Sequence, residues 1–151
     1  MGWLDDLRGQ LVGLDTTPLI YFIEKYPVYV DFIRPFFNLV ARGDIRIVTS
    51  TTTLLEVLVH PIRYSDVDLM QKYREILLNS EISLIDLSWE IAEEAARLRA
   101  VHGLRTPDAI QLATAIYCRA PFFLTNDKRL SAVKEIKVLV IDNLLQREKS
   151  K

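Results

Sequence analysis

The sequence predicts an α/β fold: one domain with a mainly parallel five-stranded sheet flanked by helices. Three observations carry that prediction. Apolar runs at 11–14, 45–48, 82–85, 121–124 and 137–141 are too short for helices and are bounded by turn residues. Between them lie segments with apolar residues at helical spacing, and strands that alternate with helices build parallel sheets. No repeat, low-complexity tract or linker divides the 151 residues. A single domain of that length buries roughly 70% of its unfolded surface. The core is expected over about residues 11–141.

Each element has a local reason. Residues 1–10 read as a polar lead-in. Leu11-Val12-Gly13-Leu14 is a buried strand ending at Asp15. Thr16 or Thr17 offers a cap for the next helix, Pro18 opens it, and Leu19, Ile20, Phe22 and Ile23 form its apolar face until Pro27 breaks it. A helix from about Val28 to Ala41 is expected to kink at Pro35 and end at Gly43. Ile45–Val48 is the second strand. Ser50, Thr51, Thr52 and Thr53 are caps for a helix through about Val59, which His60-Pro61 stops. Asp66 to about Leu78 is helical, with Val67, Met70, Tyr73 and Leu77 on one face. Ile82–Ile85 is the third strand, with Asp86 after it. Ser88 caps a helix that ends at Gly103. Thr106 is expected to cap, and Pro107 to open, a helix to Cys118, and Ala109, Ala113 and Ala115 allow it close approach to its neighbours. Pro121–Leu124 is the fourth strand, Asp127–Val133 a short helical turn, and Lys137–Ile141 the fifth strand. The tail 146–151 is polar and expected to fray.

Composition narrows the function classes. Net charge is −1 and pI about 6.1, which argues against sequence-blind electrostatic binding of nucleic acid. The lone cysteine, Cys118, permits no internal disulfide and reads as a small core residue. Together with a start that lacks a basic and then apolar signal pattern, this fits a cytoplasmic chain. No apolar run approaches the ~18 residues of a membrane span, so no membrane partner is expected.

Four acids stand out. Asp15 and Asp127 leave the C-terminal ends of strands, where ligands bind in parallel sheets, although a lone Asp there also reads as a turn or cap residue. Asp108 lies in the first turn of an alanine-rich helix, where the helix dipole favours a negative charge. Glu56 is the only acid in Leu54-Leu55-Glu56-Val57-Leu58-Val59, a helix read as apolar nearly all round and hence buried. A buried carboxylate needs a partner, which for Glu56 is a buried arginine, a solvent slot or a shared site. If the four converge, their mutual repulsion calls for a divalent cation, and carboxylate oxygens suit Mg²⁺ or Mn²⁺. Mg²⁺ commonly binds phosphate as well, which points to a phosphodiester or phosphoryl substrate.

With the acids placed, the chain resembles the PIN-domain ribonucleases, most of all the VapC-type toxins of toxin–antitoxin pairs. The matching segments are Leu14-Asp15-Thr16, Ser50-Thr51-Thr52-Thr53-Leu54-Leu55-Glu56, Thr106-Pro107-Asp108-Ala109-Ile110-Gln111-Leu112-Ala113-Thr114-Ala115 and Leu124-Thr125-Asn126-Asp127, in the family's order. The resemblance implies a Mg²⁺- or Mn²⁺-dependent endoribonuclease, with metal binding carried by Asp15, Glu56, Asp108 and Asp127. It further implies that Thr125 orients the site through its hydroxyl, that Asn126 assists, that a protein antitoxin grips the toxin and that two toxins pair as a homodimer.

Among the basic residues Arg63, Arg97, Arg99, Arg105, Lys128 and Arg129, the best phosphate contacts are Arg105 and Lys128, which adjoin proposed acids; the others read as solvated charges. His60 and His102 read as helix-end residues. The aromatic residues between Tyr21 and Phe37 read as core more than as base-stacking platforms. Two other functions fit the pattern less well: a PIN-like RNA-binding or scaffold subunit without turnover, and a receiver-like Mg²⁺-binding signalling module. The latter usually has paired acids after the first strand and a lysine after the fifth. Here Asp15 has no acidic neighbour and Asp142 follows Ile141.

Overall fold

In the computed structural model, which describes residues 2–150, the strands β1 (Leu11–Leu14), β2 (Arg46–Ser50), β3 (Ser83–Ile85), β4 (Phe122–Thr125) and β5 (Lys137–Val140) form one all-parallel sheet. The strand order is β3-β2-β1-β4-β5. The chain winds outward from β1 to β3, then crosses to the other side for β4 and β5. The order therefore reverses between β1 and β4, and parallel sheets bind ligands outside the C-terminal strand ends at such a switch point. The receiver-like alternative requires 2-1-3-4-5, so this order rules it out.

Helices α1 (Trp3–Leu7), α2 (Thr16–Ile23), α3 (Tyr29–Ala41), α4 (Thr51–Arg63), α5 (Val67–Leu78), α6 (Trp89–His102), α7 (Thr106–Tyr117) and α8 (Ile141–Lys149), with a 3₁₀ turn at Lys128–Ala132, flank the sheet. Successive strand residues point to opposite faces. Val12, Leu14, Ile47 and Leu124 therefore join one core with Ile33 and Phe36 of α3 and Tyr73 and Leu77 of α5. Val48 and Phe123 join the other with Ile91 and Leu98 of α6 and Leu112 of α7. Phe36 and Phe37 are core, as their density implied. No helix among the described residues is long and apolar enough to cross a membrane.

The alanines of α7 set how closely it lies on the sheet. Ala109, Ala113 and Ala115 are buried, and a Cβ added at Gly13 of β1 would stand 2.5 Å from the Ala115 Cβ and 2.9 Å from the Phe123 ring. Gly13→Ala is thus expected to push α7 outward and to destabilise the protein by about 1–3 kcal/mol. Urea unfolding checks this, and an unchanged midpoint would mean that α7 is not held there.

Several expectations are corrected. The lead-in is partly ordered: Leu7 of α1 is fully buried, and Trp3 stacks on Phe32 and Phe36. The tail from Gln146 does not fray at once, because α8 runs to Lys149 with Ile141 and Leu144 in the core. Pro61 does not stop α4. It lies buried within the helix, and the last carbonyls are taken up by N–H groups beyond it, Tyr64 to His60 at 3.1 Å and Asp66 to Pro61 at 2.8 Å. Thr106 is the first residue of α7 rather than its cap; Arg105 holds the cap position and makes no side-chain capping bond. Ser88 and Gly103 bound α6 as expected, with Gly103 in the left-handed region at φ 67°. Nor is α4 apolar and buried all round: Leu55, Val59 and Ile62 are 65%, 44% and 58% exposed, and Glu56 is exposed with them.

Candidate active site

Asp15 is set by the sheet itself. Its backbone N–H donates to the Leu124 carbonyl at 3.0 Å, which extends the β1–β4 ladder by one residue and places Asp15 beside Thr125. One carboxylate oxygen accepts the Thr16 N–H at 2.8 Å, so Asp15, rather than either expected threonine, caps α2. The other accepts the Thr125 hydroxyl at 2.7 Å. Thr125 is fully buried, and its Oγ1 also accepts the Asp127 N–H at 3.0 Å. One hydroxyl thus ties together the acids that follow two neighbouring strands.

Glu56 comes from the first half of α4, which Ser50 caps by accepting the Thr52 N–H at 3.0 Å. It pairs with no arginine. Its Oε1 accepts the Thr16 hydroxyl at 2.7 Å, so it faces the start of α2, next to Asp15. Asp108, in the first turn of α7, is 9% exposed and accepts from Arg105 Nε at 3.1 Å.

The electrostatics bind these groups into one site. Burial pushes the Asp15 carboxyl up from 3.8 to about 6; hydrogen bonds from Thr125 and Thr16 oppose the rise, while the charges of Asp108 and Glu56 add to it. Asp127 moves the other way. Arg129 grips it with bonds of 3.0 and 2.6 Å and, with Arg105 contributing more weakly, holds its carboxyl below the usual range despite partial burial. Arg129 also feels Asp108. Two guanidiniums therefore neutralise the two outer acids, while among the described residues no cation is bonded to Asp15 or Glu56. Among the described residues no group of three His, Cys, Asp or Glu side chains is arranged to hold a metal ion, and Arg105 and Arg129 occupy oxygens of Asp108 and Asp127. The donor set is nonetheless all oxygen, which fits a hard divalent cation.

The other proposed contacts separate. Asn126 has both ends of its amide occupied: Nδ2 donates to the Tyr21 hydroxyl at 2.9 Å, and Oδ1 accepts the Asp142 N–H at 2.8 Å. It braces the end of β4 against α2 and α8. Lys128 is exposed and lines a groove with Tyr29, Asp142 and Lys149. Arg97 is committed to Glu94 and Glu135, and Arg99 to the Leu104 carbonyl. His102 bonds Glu135 at 3.1 Å. Sequence reasoning ranked Arg129 below Lys128, read the buried Thr16 and Thr53 only as helix caps, and gave the buried Thr49 and Gln111 no role. For Gln111 the signal was a polar side chain inside the apolar helix α7; Thr49 lies in β2 and Thr16 opens α2, where a threonine is ordinary.

Comparison with known proteins agrees with this fold. A chain of the Rickettsia felis VapBC2 complex, solved bound to a DNA fragment from its promoter, has a similar fold, with a TM-score of 0.70 and 21% identity over 86% of this chain and 98% of that one. A chain of a toxin–antitoxin complex from Klebsiella pneumoniae is similar at a TM-score of 0.66 and 26% identity, over 87% of this chain and 96% of that one. A search of curated proteins gives no match. The PIN domain family model matches residues 12–136, from β1 to the edge of β5 and through all four acids, and the chain belongs to that family.

Proposed function

We propose that this chain is a Mg²⁺- or Mn²⁺-dependent endoribonuclease and the toxin of a toxin–antitoxin pair. The observation that supports the reading is the set of links at Asp15: Thr125 joins it to Asp127, Thr16 joins the start of α2 to Glu56, and the charges of Asp108 and Glu56 help burial to raise its pKa to about 6. Such a cluster is costly without a cation. Asp15, Asp108 and Asp127 would hold the ion, and Glu56 would complete its surroundings. When bound, the ion neutralises charge at phosphorus and makes water more acidic. The chain then has three tasks: Thr125 fixes the Asp15 carboxylate, Asp15 and Glu56 supply negative charge where water must lose a proton, and the arginines turn from carboxylate to phosphate. Hydrolysis on this route needs no nucleophile from the protein.

The arginine exchange is testable. Arg129→Ala frees the Asp127 carboxylate and removes a competing positive charge. It is expected to tighten Mn²⁺ binding about 2- to 5-fold, the scale of an exposed ion pair, while raising KM for RNA. Electron paramagnetic resonance of free Mn²⁺ reads the first effect. Weaker binding in the variant would mean that Arg129 positions Asp127 instead of competing for it.

The antitoxin partner rests on the complexes in which the similar chains were solved and on the exposed apolar strip Leu55, Val59 and Ile62 beside Glu56. A homodimer and a cytoplasmic location complete the proposal. Sedimentation of the purified chain tests the dimer. The function itself is tested by mapping cleavage sites in total cellular RNA with the native chain and with Asp108→Asn. Equal cleavage by both would refute it.

A further inference from the structure

Beneath the acids runs a buried chain of hydrogen bonds with a direction fixed by counting protons. Thr49 donates its only hydroxyl proton to the Leu14 carbonyl at 2.7 Å. In its 2.8 Å bond with Thr53 it can therefore only accept, and Thr53 donates. Thr53 in turn accepts from Gln111 Nε2 at 2.6 Å. The second proton on that nitrogen goes to Thr16 Oγ1 at 3.2 Å, and Thr16 gives its own proton to Glu56 at 2.7 Å. All donors thus point outward from one amide nitrogen. Turning the amide over would put an acceptor against Thr16 and Thr53, and each threonine would then lack a proton either for that contact or for its bond to Glu56 or Thr49. Gln111 is 2% exposed, and its Oε1 has no hydrogen-bond partner among the described residues. An unpaired buried acceptor is unfavourable, so the arrangement gives up one bond at that oxygen to keep both donors aimed.

We infer that Gln111 is a positioning residue: through Thr16 it fixes the Glu56 carboxylate toward Asp15, and through Thr53 and Thr49 it anchors that link to the end of β1. The inference rests on the proposed function, because it assigns Glu56 to the cation site. The relay joins α7, α2, α4 and the sheet at residues 95 and 58 positions apart from Gln111, so it sets the spacing between acids that arrive on separate elements.

The test is Mn²⁺ binding without RNA, read by electron paramagnetic resonance. Gln111→Met keeps the length and removes the donors; Thr16→Val removes the next link. Each is expected to weaken Mn²⁺ binding about 10-fold, within the range for partners that orient a metal ligand, and Thr16→Ser is expected to restore it. The double variant should bind no worse than the weaker single, because both changes break one connection. On RNA, kcat should fall while KM stays within about 2-fold. Parental Mn²⁺ affinity in Thr16→Val, fully additive losses or a native chain that binds no Mn²⁺ would overturn the inference. If Gln111→Met does not fold, the Thr16 pair reads the same link. A native chain that binds Mn²⁺ but leaves RNA intact would refute the nuclease reading alone, and the binding cycle would still decide the relay.

Discussion

Asp15→Asn is expected to leave the fold intact, to lower RNA cleavage by about 10³-fold and, in metal-free protein, to raise stability above pH 6. The first two effects follow from its place at the junction of β1 and β4, where the side chain bonds Thr125 and the Thr16 N–H and an asparagine can keep the cap. The third follows from linkage. The folded pKa of about 6 lies above the unfolded 3.8, so between those values the native state binds a proton that the unfolded chain has lost. The contribution of Asp15 is therefore greatest below about pH 4 and is lost as pH rises through about 6. A shift of that size corresponds to roughly 2–3 kcal/mol, the lower figure allowing for partial solvent access. Asp127 and Glu135, held below their usual range by basic partners, pull the other way and lose stability in acid. Urea titrations in chelator at pH 4.5 and pH 7.5, taken as parent minus variant, cancel those terms. A difference that does not change with pH would show that Asp15 is not crowded.

Thr125→Val is expected to lower activity about 10- to 100-fold, less than Asp15→Asn, although Thr125 need never touch RNA. Valine matches its shape but leaves Asp15 without an O–H donor and the Asp127 N–H without an acceptor. That hydroxyl opposes the rise in the Asp15 pKa, so its loss moves the carboxyl further up and shifts the acid limb of the pH–rate profile to higher pH. Thr125→Ser restores the donor and should recover most of the rate with the parental profile. Equal profiles for Thr125→Val and the native chain would separate Thr125 from the chemistry.

The readable parts of this chain were those governed by local rules. Short continuous apolar runs gave the strands, Ser88 and Gly103 gave the ends of α6, and Ala115 gave the close packing on Gly13. The acids were legible because a carboxylate at a strand end or in an apolar helix conflicts with its surroundings. The errors came from tertiary contacts. Pro61 stays helical because residues beyond it take up the last carbonyls of α4, and α8 forms because Leu144 finds the core. The burial expected of Glu56 does not hold, since α4 shows one face to solvent, but Glu56 bonds Thr16 and its charge helps to raise the Asp15 pKa. Gln111 escaped notice because its partners lie 58 and 95 residues away, and no local pattern records such a pairing.

A cleavage assay with a labelled single-stranded RNA, run in excess EDTA and again after Mg²⁺ or Mn²⁺ is returned, tests the need of these acids for a hard cation most directly. The expected outcome is no cleavage in chelator, recovery with either ion, and no recovery in Asp15→Asn. Undiminished cleavage in excess EDTA would contradict the account.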